Sequence, residues 1–151
     1  MALDITDFTP DAQAVEDGVW VDLDEDTKVK VEYMSPDAYQ NELIKRQRRI
    51  RNPNLLERGD YLRGIENDLL RAHIMDWSGM KKGGKDFPFS MENLDFVIKV
   101  VPDIRSALLR IVQDVSNFTA KQREEGEKNL PPASSGISLS NGGGEISGEQ
   151  N

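Results

Sequence analysis

A chain of 151 residues with 27 Asp and Glu, 19 Lys and Arg and a net charge of −8 fits one domain with a core of moderate size, and its negative field opposes generic binding to nucleic acid or anionic membranes. The absence of cysteine excludes a disulfide framework and a thiolate metal site. No basic and apolar leader opens the chain and no run reaches the length of a membrane span, so the expectation is a soluble, non-secreted protein without a membrane partner.

Residues 1–17 are acidic with scattered apolar groups, too few to offset the entropy of ordering them, and read as a flexible arm. Residues 1–26 together hold nine acids and no Lys or Arg. From Gly18 the pattern alternates. Val19, Val21 and Leu23 point one way, and beyond a polar turn Val29, Val31 and Tyr33 repeat the phase, which predicts a β-hairpin over 18–33. Trp20 falls on the opposite face, either packed under another element or partly exposed. A two-stranded ribbon is unstable alone, so helices must cover its apolar side.

Ser35 and Pro36 form an N-cap and first-turn pair for a helix over about 36–52, which stops at Asn52-Pro53. A second helix is predicted over 60–77, with Leu62, Ile65, Leu69 and Ala72 on one face, Ile74 and Trp77 extending it, and Gly79 as its left-handed cap. Lys81, Lys82, Gly83, Gly84 and Lys85 then read as a mobile polar connection. Ser90 caps a third helix over about 90–100 that carries Leu94, Val97 and Ile98. Pro102 breaks it. A fourth helix over about 103–122 has the clearest period, Ile104, Ala107, Leu108, Ile111, Val112, Val115 and Phe118. The Gly/Ser-rich stretch 124–151 reads as a flexible tail. The fold expected is α+β and mostly helical, with a short N-terminal hairpin on a bundle of about four helices, a single domain over 18–123 and disordered termini.

Several chemical patterns fail on inspection. Gly79, Gly84 and Lys85 have the spacing of a nucleotide-binding loop, yet Asp86 stands where Ser or Thr should hold Mg²⁺, and Phe87-Pro88-Phe89 prevents an immediate helix. His73 and Asp76 supply two donors where a metal site needs three or four. Asp22, Asp24 and Asp26 resemble the start of a calcium loop, but position 33 is Tyr where the twelfth-position Glu belongs. No nucleophile stands beside a base, so no catalytic residue, cofactor or metal is expected. The run KRQRRIR, with Lys45, Arg46, Arg48, Arg49 and Arg51, presents cations at helical spacing and supports a different class, a small nucleic-acid-binding module. It lacks interleaved aromatics for stacking on bases, and the acidic arm competes with phosphate.

The order of parts carries a resemblance. A ribbon, GVWVDLDEDTKVKVEYMSPDAY, leads into a charged helix; DWSG follows, then a polar glycine loop and FPFSMENLDFVIKVVPDIRSALLRIV. Through Asp76, Trp77, Gly79, Pro88, Phe89, Ser90, Glu92 and Asn93, residues 18–120 resemble the tail assembly chaperones of long-tailed bacteriophages. The resemblance implies a non-enzymatic protein of the host cell cytoplasm that coats the tape measure protein and keeps it soluble. It further implies help in recruiting major tail tube protein, possible self-association, and an extended form made by ribosomal frameshifting. Such a chaperone needs exposed apolar surface and solubilising charge; the expected contacts are Trp20, Phe87, Phe89, Leu94 and Phe118. A structural role in the virion is a further alternative.

Overall fold

The computed structural model describes residues 2–49 and 58–128. Ile50, Arg51, the expected helix end at Asn52-Pro53 and the tail from 129 lie outside the described residues. The fold is α+β and mostly helical. After a 3₁₀ turn at Ile5–Phe8 come α1 (Ala12–Asp17), β1 (Val19–Asp22), β2 (Lys28–Val31), α2 (Pro36–Arg49) and α3 (Arg58–His73). Then follow β3 (Ile74–Ser78), the short strands β4 (Lys81–Lys82) and β5 (Lys85–Asp86), α4 (Met91–Val100), α5 (Pro102–Gln113), a 3₁₀ turn at Val115–Phe118 and α6 (Ala120–Lys128).

The predicted hairpin forms, with Val19 opposite Val31 and Val21 opposite Val29. It gains a third, antiparallel strand, giving the order β1-β2-β3. Here the second-helix reading is corrected: the helix stops at His73, and residues 74–78 pair with β2 instead. Register explains why the two readings were confusable. Val31 faces Ile74 but Lys30 faces Asp76, so Met75 is an extra residue in β3, a β-bulge. The bulge turns both Ile74 and Trp77 inward, three residues apart, which is also the spacing of a helix face.

Helix α3 touches α2, α4 and α5 and is the centre of the bundle. Val29, Val31, Ile74 and Trp77 from the sheet meet Ile65, Leu69 and Leu70 of α3, Leu94, Val97 and Ile98 of α4, and Leu108 and Val112 of α5 in one core. Each fully buried aliphatic side chain there contributes on the order of 1.5–3 kcal/mol. Helix α2 has no buried residue and leans on the core through half-buried Ala38, Tyr39 and Leu43. It is also tied by Arg46, which donates to the Gly64 carbonyl at 3.0 Å and to Asp68 of α3. Asp68 accepts from Arg71 at 2.9 Å, and Arg71 reaches Asp95 of α4, so one ionic chain joins three helices.

Three further expectations are corrected. The long fourth helix is divided after Gln113, because the Asp114 side chain accepts from the Ser116 N–H at 3.0 Å and the Asn117 amide takes the Ile111 carbonyl at 3.1 Å. Thr119 then caps α6 through the Gln122 N–H, so residues 124–128 are helical. The arm reading of 1–17 also gives way: Asp11 caps α1, Ala14 is fully buried in the common core, and Arg123 of α6 donates to Asp11 at 2.7 Å.

Candidate partner-binding surface

The surface is built on the segment between β3 and α4. Gly79 leaves β3 at φ +83°, and a Cβ there would lie 2.0 Å from the Asp26 carbonyl oxygen, so the chain passes directly under the β1–β2 turn. Thr27 fixes the approach by donating its hydroxyl to the Gly79 carbonyl at 3.2 Å. The expected mobile connection is instead a tight hairpin: Lys81 pairs with Asp86 and Lys82 with Lys85, around Gly83 and Gly84, both at positive φ as a primed turn requires. Lys81 Nζ bonds the Asp86 carboxylate at 2.7 Å, and that hydrogen bond, with the lysine's charge, holds the Asp86 carboxyl below its ordinary range.

Past the hairpin, Phe87 donates its N–H to the Met80 carbonyl at 2.9 Å and brings its ring against Trp77. The Trp77 ring is buried, stacked on Phe87 with centroids 5.9 Å apart and edge-on to Phe89 at 5.1 Å. Ser90 accepts from the Asn93 N–H at 3.0 Å, and Asn93 returns its side-chain amide to the Pro88 carbonyl at 2.7 Å, which starts α4 as the sequence predicts. Because Leu94, Val97 and Ile98 turn inward, Phe96 and Val100 emerge on the outer side of α4, 36% and 58% exposed. Phe96 meets Phe87 edge-on at 6.0 Å. Lys82 Nζ stands 4.4 Å from the Phe96 ring centre and 5.9 Å from that of Phe87, a cation over two aromatic faces.

Phe96, with Phe87 beside it, thus lies under Lys82 of the hairpin, and Val100 adds exposed apolar surface one turn further along α4, in a protein of net charge −8. Of the expected contacts, Phe87 and Phe89 belong to this joint. Leu94 and Phe118 do not reach the surface: both are fully buried, Phe118 against Tyr33 at 5.1 Å, and they are withdrawn as contacts. Trp20 is half-buried elsewhere, on the far side of the sheet, lining a shallow hollow with Gln13 and Asp17 of α1 and Arg123 of α6. Sequence reasoning missed Phe96. Its signal was an aromatic two positions beyond Leu94, about 200° around a helix whose inward face was already assigned.

The basic run is divided by the fold. Arg46 points into the α2–α3 joint, while Lys45 and Arg49 each lie 3.6 Å from Glu42. Arg48 is exposed and Arg51 is outside the described residues. His73 and Asp76 do not share a helix: His73 Nδ1 lies 2.7 Å from the Leu69 carbonyl oxygen, and Asp76, in β3, accepts from the Trp77 N–H at 2.8 Å. Among the described residues no three acidic or imidazole side chains converge as metal ligands, and no helix is long and apolar enough to cross a membrane. Asp22, at the hairpin end, pairs with Lys28, and Asp24 accepts from the Glu25 N–H. The Gly79-to-Lys85 spacing ends in a β-turn, with the next helix opening only at Met91. No known family model, curated protein or solved structure matches this chain.

Proposed function

We propose that this protein is a tail assembly chaperone of a long-tailed bacteriophage, which binds the tape measure protein in the host cell cytoplasm and keeps it soluble until tail tube protein encloses it. The observation that carries the reading is the exposed strip formed by Phe96 and Val100, one turn apart on α4, and widened by Phe87. A strip of this kind along a helix matches the apolar side of a client helix, and the charged surroundings keep a coated client dispersed. The activity is binding alone, without cofactor or metal.

Co-expression with the tape measure protein of the same phage tests it. A recoverable complex, with loss of tape measure solubility when this chain is omitted, is the expected result; a tape measure equally soluble by itself defeats the proposal. The nucleic-acid alternative draws on the exposed Lys45, Arg48 and Arg49 of α2. It requires salt-dependent binding of a random oligonucleotide.

A further inference from the structure

We propose that the strip on α4 selects an acidic client: a helix whose apolar side covers Phe96 and Val100 and whose bordering Asp or Glu residues meet Lys82, Lys85 and Lys99. The inference rests on the chaperone reading for taking this strip as the client face, and it adds the chemistry of the client. Lys82 and Lys85 stand directly opposite each other in the β4–β5 ladder. Like charges so placed repel, and among the described residues neither has a carboxylate partner, whereas their neighbour Lys81 holds Asp86. Lys99 is exposed three residues beyond Phe96 and beside Val100, and it too lacks a carboxylate partner among the described residues. Of the carboxylates carried by β5 and α4, Asp86 is held by Lys81 and Asp95 by Arg71, which leaves Glu92 in the first turn of α4. Three unneutralised cations therefore border the strip in a chain with 27 Asp and Glu against 19 Lys and Arg.

An acidic helix fits this face better than a nucleic acid does. The Phe96 ring already carries Lys82 Nζ at 4.4 Å from its centre, so that face is closed to a stacking base, and aliphatic Val100 offers no second platform. A net charge of −8 also repels a polyphosphate backbone. A carboxylate, in contrast, binds the Lys82 ammonium from its outer side without lifting it from the ring, so one lysine joins the apolar strip to the acid. Phe96 and Val100, four residues apart on α4, present a contact one turn long, which matches an apolar pair at the same spacing on the client.

Fluorescence anisotropy of labelled synthetic peptides against the full chain reads the preference. One peptide, about 18 residues long so that it holds a helix, carries leucines at helical spacing bordered by Glu. Its twin keeps the leucines and replaces every Glu by Lys. The acidic peptide should bind at least about tenfold more tightly at about 0.1 M NaCl, and the difference should fade towards about 1 M, where the Debye length is about 3 Å. Lys82→Glu gives Lys85 an opposite charge across the ladder, so its melting temperature should not fall, yet its affinity for the acidic peptide should drop about tenfold. Lys99→Glu, which leaves the hairpin untouched, should act in the same direction. Equal affinity for the twins, indifference to both substitutions, or a random oligonucleotide bound as tightly as the acidic peptide overturns the inference. Capture of the tape measure protein undiminished by both substitutions overturns the acidic preference and leaves the chaperone reading standing; selective binding of the acidic peptide without tape measure capture does the reverse.

Discussion

The indole N–H of Trp77 donates to the main-chain oxygen of Phe87 at 2.7 Å, while the two rings lie nearly parallel with centroids 5.9 Å apart. One side chain thus closes β3, fills the core and fastens the segment that carries the exposed strip. Trp77→Phe keeps an aromatic ring but removes the donor and leaves a void, so unfolding stability should fall by about 2–3 kcal/mol. A urea titration followed by far-ultraviolet circular dichroism measures the loss; an unchanged midpoint would contradict this role.

Under the proposed function, Phe96 should separate binding from stability. Its ring is partly exposed under Lys82 and does not belong to the buried core. Phe96→Ser should leave the melting temperature within a few degrees, because surface changes are usually worth about 0.5 kcal/mol or less. It should nevertheless weaken capture of the tape measure protein about tenfold or more, as loss of an aromatic anchor does. Equal capture by wild type and variant in a pull-down would move the binding face elsewhere.

Two glycines should respond with opposite signs. At Gly79 a methyl group meets the Asp26 carbonyl at 2.0 Å on a backbone with φ +83°, so Gly79→Ala should destabilise by about 1–3 kcal/mol and splay the β1–β2 turn. Gly126 lies inside α6 with nothing within 4 Å of its added methyl. Gly126→Ala should therefore stabilise by about 0.5–1 kcal/mol. Thermal melts of the two variants beside wild type provide the comparison.

Arg46 holds a helix that buries little. Its guanidinium bridges the Gly64 carbonyl and Asp68, and Asp68 also binds Arg71. Arg46→Ala should cost about 1–2 kcal/mol, discounted for partial solvent screening, and Arg46→Lys should restore only part of it, because lysine lacks the planar fork. Hydrogen exchange should show faster opening of α2 than of α4. Uniform exchange across both helices would argue against a local tether.

Acid should loosen the N-terminal side first. The Ala14 N–H, followed by Arg123, holds the Asp11 carboxyl below its ordinary value of 3.8. The folded state therefore binds that proton less tightly than the unfolded chain does, and the stabilisation is complete above 3.8 and fades as pH falls through the lowered folded value. Amide protection in α1 and α6 should drop in that window before protection in α3 or α5. Asp11→Asn, which caps without titrating, should remove the pH dependence.

Much of the fold was legible locally. Ser90 with Asn93 marked the start of α4, Ser35-Pro36 that of α2, and the alternating valines marked the β1–β2 pair, because caps and alternation depend on neighbours within a few residues. The division after Gln113 was also locally encoded, in Asp114, Ser116, Asn117 and Thr119, but the strong apolar period of α5 masked it. Helix α1 had a cap at Asp11 and a stop at Gly18; its acidity concealed a core residue, Ala14. On the candidate face the sequence marked Phe87 and Phe89, whereas the roles of Phe96 and Lys82 depend on how the β4–β5 hairpin folds over α4.

For residues 74–78 the sequence by itself determined which side chains are inside, since Ile74 and Trp77 are buried whether their segment is helix or strand. Only the tertiary structure decided between the two. The open edge of β2 offered hydrogen bonds that residues 74–78 could satisfy, and one bulged residue, Met75, let a strand keep the inward spacing of a helix.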